Sequence, residues 1–335
     1  MSAVRYAVRH ETLYSYGREV AHSHQQLHLT PRSFARQECI EHSIQIDPAP
    51  AVRSEHLDAF GNRVTRVELD RPHARLQVTA DMIVSLTAPP ALPEDEAEGW
   101  EQVRDRLAYV AQPREPQWLE ALRFRGESSF VRVKGVFSDF ARDCLAPGST
   151  VLEVAARLMA KVHEEFTYAP GETEIATPLL EVFHKRRGVC QDYAHLMIAC
   201  LRSAGLAARY VSGYLRTGHV VEAGPAERGD ANGQDAASTR DASEARAAGE
   251  AREPGTEPPL GADASHAWVA VFAPPFGWIE YDPTNNLRVR QEHVALAWGR
   301  DFGDVSPLRG VLLGGGTHTL SVRVAVRPLG AQEPA

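Results

Sequence analysis

Along the first ninety positions the apolar residues fall on every second place. Leu76, Val78, Ala80, Met82, Val84 and Leu86 alternate with mostly polar neighbours, and Ile40, Ile44 and Ile46 keep a common parity. That is the pattern of strands with one buried face. Gly61-Asn62 has the composition of a hairpin turn between two such strands. From about residue 100 the period changes. Thr150 and Glu153 form a capping-box pair ahead of Leu152, Ala155, Met159, Val162 and Phe166, which predicts a helix packed on a core. Thr177-Pro178 supplies an N-cap and a proline at the first position of the next helix. Lys185-Arg186-Arg187-Gly188 reads as its basic last turn and glycine stop.

A third helix begins at Cys190. Ala194, Met197, Ile198, Leu201 and Ala204 recur at spacings of three and four up to a stop at Gly205, an amphipathic helix of about four turns. Residues 267–272 and 278–282 read as strands joined by Ala273-Pro274-Pro275-Phe276-Gly277, hence a β-hairpin. After Gly314-Gly315-Gly316, the alternation of Val322, Val324 and Val326 predicts a closing strand. The chain is therefore expected to be α+β: an N-terminal antiparallel β-rich domain over 1–95, a mixed core over 96–310, and a C-terminal strand and tail over 311–335.

Composition adds bounds. A chain of 335 residues with 43% hydrophobic residues is long and apolar enough for about two cores. The N-terminal residues lack a signal-like apolar stretch and no later run approaches a membrane span, so a cytoplasmic location and no membrane partner are expected. Four cysteines in such a length do not suggest a disulfide framework. Residues 219–263 hold ten acidic residues against four arginines, a net −6 of the formal −8, with almost no aliphatic residues beyond Val220, Val221 and Leu260. This segment is expected to be a disordered acidic insertion. The remaining body is close to neutral, and without a basic patch no nucleic-acid partner is expected.

Against this background three residues stand out. Cys190 sits in the first turn of its helix, where unpaired N–H groups and the dipole favour an anion, the placement that activates a thiol. His266 opens one strand of the hairpin and Asp282 closes the other. If Phe272 pairs with Trp278, Asp282 falls opposite Trp268 and diagonal to His266; a shift of two residues puts it directly opposite His266. Either register lets the carboxylate hold the imidazole while the imidazole exchanges a proton with the thiol, a Cys-His-Asp catalytic triad. Gln191, Asp192, Tyr193 and Ser265 flank it as candidate pocket residues, while Trp268 reads as hairpin packing. Cys200 lies further along the helix and reads as a buried small residue, and Cys39 and Cys144 as ordinary thiols. His22, His24 and His28 would share a face if residues 20–29 form a strand, but no established metal motif, calcium loop or phosphate loop is present, and no metal or cofactor is expected.

These residues carry a family resemblance. Arg187-Gly-Val-Cys-Gln-Asp-Tyr-Ala-His195, Ala208-Arg-Tyr-Val-Ser-Gly-Tyr214, Asp263-Ala-Ser-His-Ala-Trp268 and Tyr281-Asp-Pro-Thr284 resemble the core of bacterial transglutaminase-like proteins. Tyr14-Ser-Tyr16, Leu29-Thr-Pro-Arg32 and Asp58-Ala-Phe-Gly-Asn62 resemble the β-rich domain that precedes this core. The resemblance implies a papain-like core with Cys190, His266 and Asp282 as catalytic residues. Its substrates would be protein or peptide amides, with an amine or water as the second reactant. The superfamily also holds peptidases, amidases and inactive relatives, so a cysteine amidase on the same triad and a non-catalytic binding module stand beside the acyltransferase. An arylamine acetyltransferase would additionally require acyl-CoA.

Overall fold

The alternating N-terminal pattern forms a sheet organised around one long strand, β1 (Val4–Leu27), in the computed structural model, which describes residues 3–108, 114–216, 226–228 and 265–329. β2 (Gln37–Asp47), β3 (Val52–Leu57), β4 (Arg63–Leu69) and β5 (His73–Leu86) complete the N-terminal part, with β3 and β4 as the hairpin around Gly61-Asn62. The first half of β1 pairs antiparallel with β5 and its second half with β4. The even-numbered residues of β5 from Leu76 to Leu86 are all buried. Ile40 departs from the expected parity and is exposed: the β2–β5 register shifts between Cys39 and Glu41, so Ile40 is the extra residue of a bulge.

A set of helices follows: α1 (Trp100–Leu107), α2 (Pro116–Leu122), α3 (Gly135–Ala141) and α4 (Val151–Glu165). The α4 start carries the full capping box, with Glu153 N–H donating to Thr150 Oγ1 and Thr150 N–H to the Glu153 carboxylate. A two-residue strand β6 (Thr167–Tyr168) leads to α5 (Leu179–Lys185), paired through β7 (Arg187–Gly188). Two details of α5 differ from expectation. Thr177 Oγ1 accepts from Glu174 N–H, so Pro178 holds the N-cap position. Arg186, not Gly188, takes the left-handed conformation at φ 56°, with its guanidinium over the rings of Phe140, Phe166 and Phe183.

The core helix α6 (Cys190–Ser203) is buried almost all round rather than amphipathic, because α3, α4 and α5 cover the side turned away from its sheet. That sheet orders β12 (Leu287–Arg288), β11 (Trp278–Asp282), β10 (His266–Phe272), β8 (Ala208–Leu215) and β13 (His293–Gly299), all antiparallel. Of the 219–263 segment, β9 (Ala226–Arg228) is a short strand, and the expectation of disorder for the rest lies outside the described residues. After the short α7 (Phe302–Val305), β14 (Leu308–Gly314) and β15 (His318–Leu329) return to the N-terminal sheet and pair with β1; β9 adds to the edge of β15. No helix among the described residues is long and apolar enough to cross a membrane.

The two sheets are joined by side chains that imitate a neighbouring strand. β13 pairs with β8 on one edge only. Beyond its other edge, Gln37 accepts from Ala295 N–H and donates to Ala295 O, at 2.8 and 2.7 Å. Asn62 does the same with Trp298, at 3.0 and 2.9 Å. The Asp58 carboxylate accepts from Phe60 N–H, Asn62 N–H and the Asn62 amide, which fixes that side chain. Arg32 stacks on Trp298 at 3.5 Å and donates to Asn62 Oδ1.

Asn62→Ala strands a buried N–H and a buried C=O, and each such group costs about 1–3 kcal/mol. We expect a loss of about 2–4 kcal/mol in urea unfolding, whereas Arg9→Ala, which removes an exposed pair with Glu11, should change stability by less than about 1 kcal/mol. Two buried histidines set an acid limit. Burial lowers His10 and His195 to about 4; His10 is bonded to Thr12 and Tyr214, and His195 Nε2 accepts from Phe302 N–H. Their folded values lie below the unfolded value of about 6.5, so the unfolded chain takes up the extra protons. Thermal melts should show stability falling as pH drops from about 6.5 towards 4.

Candidate active site

The start of α6 is shaped by what precedes it. Asp192, in its first turn, accepts at Oδ2 from Val189 N–H (2.9 Å) and from the Thr173 hydroxyl (2.7 Å), pulling the entering strand onto the helix end. A Cβ on Gly188 would lie 2.6 Å from Asp192 Oδ2, so only glycine allows this approach. Burial raises the Asp192 carboxyl, opposed by those two hydrogen bonds. Cys190 then emerges at the helix start, nearly buried, with Sγ 4.0 Å from Ser265 O.

The hairpin has the first of the two expected registers. Phe272 pairs with Trp278 and Val269 with Tyr281, which leaves Asp282 across from Trp268 and diagonal to His266. His266 Nε2 donates to Asp282 Oδ2 at 2.8 Å, both side chains being fully buried. Nδ1 on the other side of the ring has no nitrogen or oxygen partner among the described residues, and its neighbour is the Cys190 thiol. Burial works to lower the imidazole, but Asp282 and Cys190 outweigh it and raise His266 to about 10. Burial likewise works to raise Asp282, and the facing His266 and His293 hold it far below the carboxylate range. The structure thus brings Cys190, His266 and Asp282 into one line.

Asp282 is also anchored from the chain that follows it. Oδ1 accepts from the backbone N–H groups of Thr284 and Asn285 at 3.0 and 3.2 Å, and the Asn285 amide donates to Oδ2 at 2.7 Å. His163 of α4 donates from Nδ1 to Thr284 O at 3.0 Å, tying this turn to the helical layer. A further donor, His293 at the start of β13, reaches Oδ2 from Nε2 at 3.1 Å. Gly213 of β8 lies opposite His266, and a Cβ there would collide with Val294 O at 2.1 Å and the Trp268 ring at 2.4 Å. Trp268 is fully buried, with Nε1 donating to Glu280, and packs the hairpin as expected.

The other expected pocket residues divide. Gln191 and Ser265 line a cleft of about 640 Å³ beside Cys190, whereas Tyr193 packs among Phe166 and Tyr168 and, like Asp192, does not line it. Tyr210 of β8 lines the same cleft. The opposite wall belongs to the N-terminal sheet: His10 and Thr12 of β1, Leu320 and Val322 of β15. Sequence reasoning missed this wall because β1 and β15 lie near the two ends of the chain, remote in sequence from Cys190 and His266. It also missed His293, the last residue of the polar run Arg290-Gln291-Glu292-His293 that leads into an apolar strand, with no local motif to mark it.

For a metal, the three candidate histidines separate. His22 and His24 share an exposed face of β1, while His28 follows the strand's end and donates from Nδ1 to Ser306 O. Among the described residues, the grouping able to offer three ligand atoms is His266, Asp282 and His293, within 4.8 Å of one another. There both imidazole N–H groups already point at one oxygen. Cys39, Cys144 and Cys200 are free thiols, and burial raises all three, Cys200 furthest.

A cysteine at a helix start facing a His-Asp pair on an antiparallel sheet is the core of a transglutaminase-like fold. The chain belongs to the transglutaminase-like superfamily, a family of cysteine enzymes: residues 138–283 match that superfamily's model and residues 6–85 match the bacterial transglutaminase-like N-terminal region. It is similar to Mycobacterium tuberculosis Rv2569c, 34% identical over 92% of this chain and 87% of that protein. It is also similar to Mycobacterium leprae ML0607, 30% identical over 97% and 99%. Among solved structures, a Cytophaga hutchinsonii protein described as a candidate cysteine protease shares the fold with a TM-score of 0.69 at 15% identity, over 100% of this chain and 93% of that one.

The raised imidazole gives a stability test. Its pairing with Asp282 is fully present below the unfolded histidine value of about 6.5 and is lost as pH rises towards the folded value of about 10. The stability gap between wild type and His266→Gln, measured by urea unfolding, should therefore shrink from pH 6 to pH 10.

Proposed function

We propose that the protein is an acyl-transfer enzyme working through a thioester on Cys190, with His266 as acid and base and Asp282 as the group that orients it. The observation that carries this reading is the line from thiol to imidazole to buried carboxylate, opening at the thiol end into the cleft. An imidazolium beside a thiol favours the thiolate, and the raised proton affinity of His266 keeps it charged at neutral pH.

The thiolate adds to the carbonyl carbon of a carboxamide, and the N–H groups left unpaired at the helix start meet the developing oxyanion. As the C–N bond breaks, His266 gives its proton to the departing nitrogen, releasing ammonia or an amine and leaving a thioester. An amine or water then attacks while His266 takes back a proton, and the Cys190 thiolate is regenerated. The substrates are a protein or peptide amide and, in transamidation, an amine. A cytoplasmic setting keeps the four free thiols reduced.

Dimethylcasein and a fluorescent primary amine provide the test. Covalent labelling that disappears in Cys190→Ala, and falls about a hundredfold or more in His266→Ala, supports acyl transfer to amines. Ammonia release without labelling assigns water as the acceptor. Neither product, together with Cys190 alkylation by iodoacetamide at the same rate in wild type and His266→Ala, sinks the enzyme reading and leaves a binding module.

A further inference from the structure

We propose that His293 is a positioning residue of the reacting triad, a neutral imidazole that locks the Asp282 carboxylate towards His266. The inference rests on the reading of Cys190, His266 and Asp282 as the reacting groups. Three side-chain donors converge on Asp282 Oδ2: His266 at 2.8 Å, Asn285 at 2.7 Å and His293 at 3.1 Å. Asn285 belongs to the same turn as Asp282 and moves with it. His293 comes from the far side of the sheet, at the beginning of β13, and so ties the carboxylate to a separate element. It is 1% exposed and its ring is held edge-on against Trp268 at 5.2 Å.

Its protonation state follows from its surroundings. Nδ1 is buried with no partner among the described residues, so a proton there would be stranded, and the ring's single proton sits on Nε2, where it meets the carboxylate. The titratable groups facing it are Asp282 and Glu280 of β11 and His266 of β10. Burial lowers His293, in the opposite direction to His266, so two histidines on one oxygen divide their roles: one carries charge and the other only orients.

Losing this donor frees the Asp282 carboxylate to turn from His266, and the weakened hydrogen bond lowers the proton affinity of the imidazolium. The acid limb of Cys190 reactivity should then move to higher pH. The experiment follows iodoacetamide alkylation of Cys190 against pH in wild type, His293→Gln, which keeps an N–H donor, and His293→Met, which keeps bulk without one. His293→Met should react about tenfold more slowly at neutral pH, with its acid limb displaced upwards, and His293→Gln should recover both.

Equal profiles in Met and wild type overturn the proposal, as does a folded Gln variant no better than Met. If Met does not fold, Gln decides: a wild-type profile supports the role and a displaced one overturns it. A wild type whose alkylation does not depend on His266 sinks the functional reading itself. The positioning bond is then judged in Cys190→Ala by the His266 Nε2–H resonance, which should broaden through water exchange with Met at 293 and stay sharp with Gln; an unchanged resonance with Met overturns the bond's role.

Discussion

A carboxylate withdrawn completely from water must either lose its charge or be surrounded by donors, and Asp282 is surrounded: two backbone N–H groups, one amide and two imidazoles point at its two oxygens. The rest of the site follows from holding that charge. His266 gains proton affinity because the carboxylate faces it, and the hairpin register, the turn after Asp282 and the start of β13 all supply donors. Gly213 lets Trp268 and β13 close over the same ground without a side chain in the way. The helix that carries Cys190 contributes separately, through Asp192 and Gly188, so the two halves of the site are built by different local rules.

A second constraint is the unpaired edge of β13. An exposed strand edge inside a protein leaves backbone groups that need partners. Here the partners are side-chain amides, Gln37 and Asn62, presented by the N-terminal sheet with the spacing of a strand. This joint is more specific than apolar contact, because an amide in the wrong register would leave both its own groups and those of β13 unsatisfied. It seats β1 and β15 where they become one wall of the cleft.

Much of this was legible in the chain. The parity of Leu76 to Leu86, the Thr150–Glu153 box and the hairpin from His266 to Asp282 are local patterns, and local patterns are what periodicity and turn chemistry report. The candidate triad could be assembled because Cys190 follows a helix stop and because a hairpin brings His266 near Asp282. What stayed hidden was non-local or depended on a neighbour's shape. The left-handed residue fell on Arg186 rather than Gly188 because three phenylalanine rings accept its guanidinium. Ile40 left its parity through a bulge that only the partner strand defines. The α6 pattern looked one-sided, yet its polar members are buried too: Arg202 spends its donors on the carbonyls of Gly126, Ala208 and Arg300 and on the Ser128 hydroxyl. His293 carried no local mark, since its partner comes from another strand.

The cleft's double parentage has a consequence for how such a protein can change. The thiol, imidazole and carboxylate all come from the core, while His10, Thr12, Leu320 and Val322 come from strands that take no part in the hydrogen bond between His266 and Asp282. Substitutions on those strands can remould the cleft and leave the hydrogen bond between His266 and Asp282 in place. The arrangement resembles a tool with a fixed frame and an interchangeable jaw: the Cys190, His266 and Asp282 line stays with the core, and the shape of the cleft before it is delegated to a separate and separately mutable sheet.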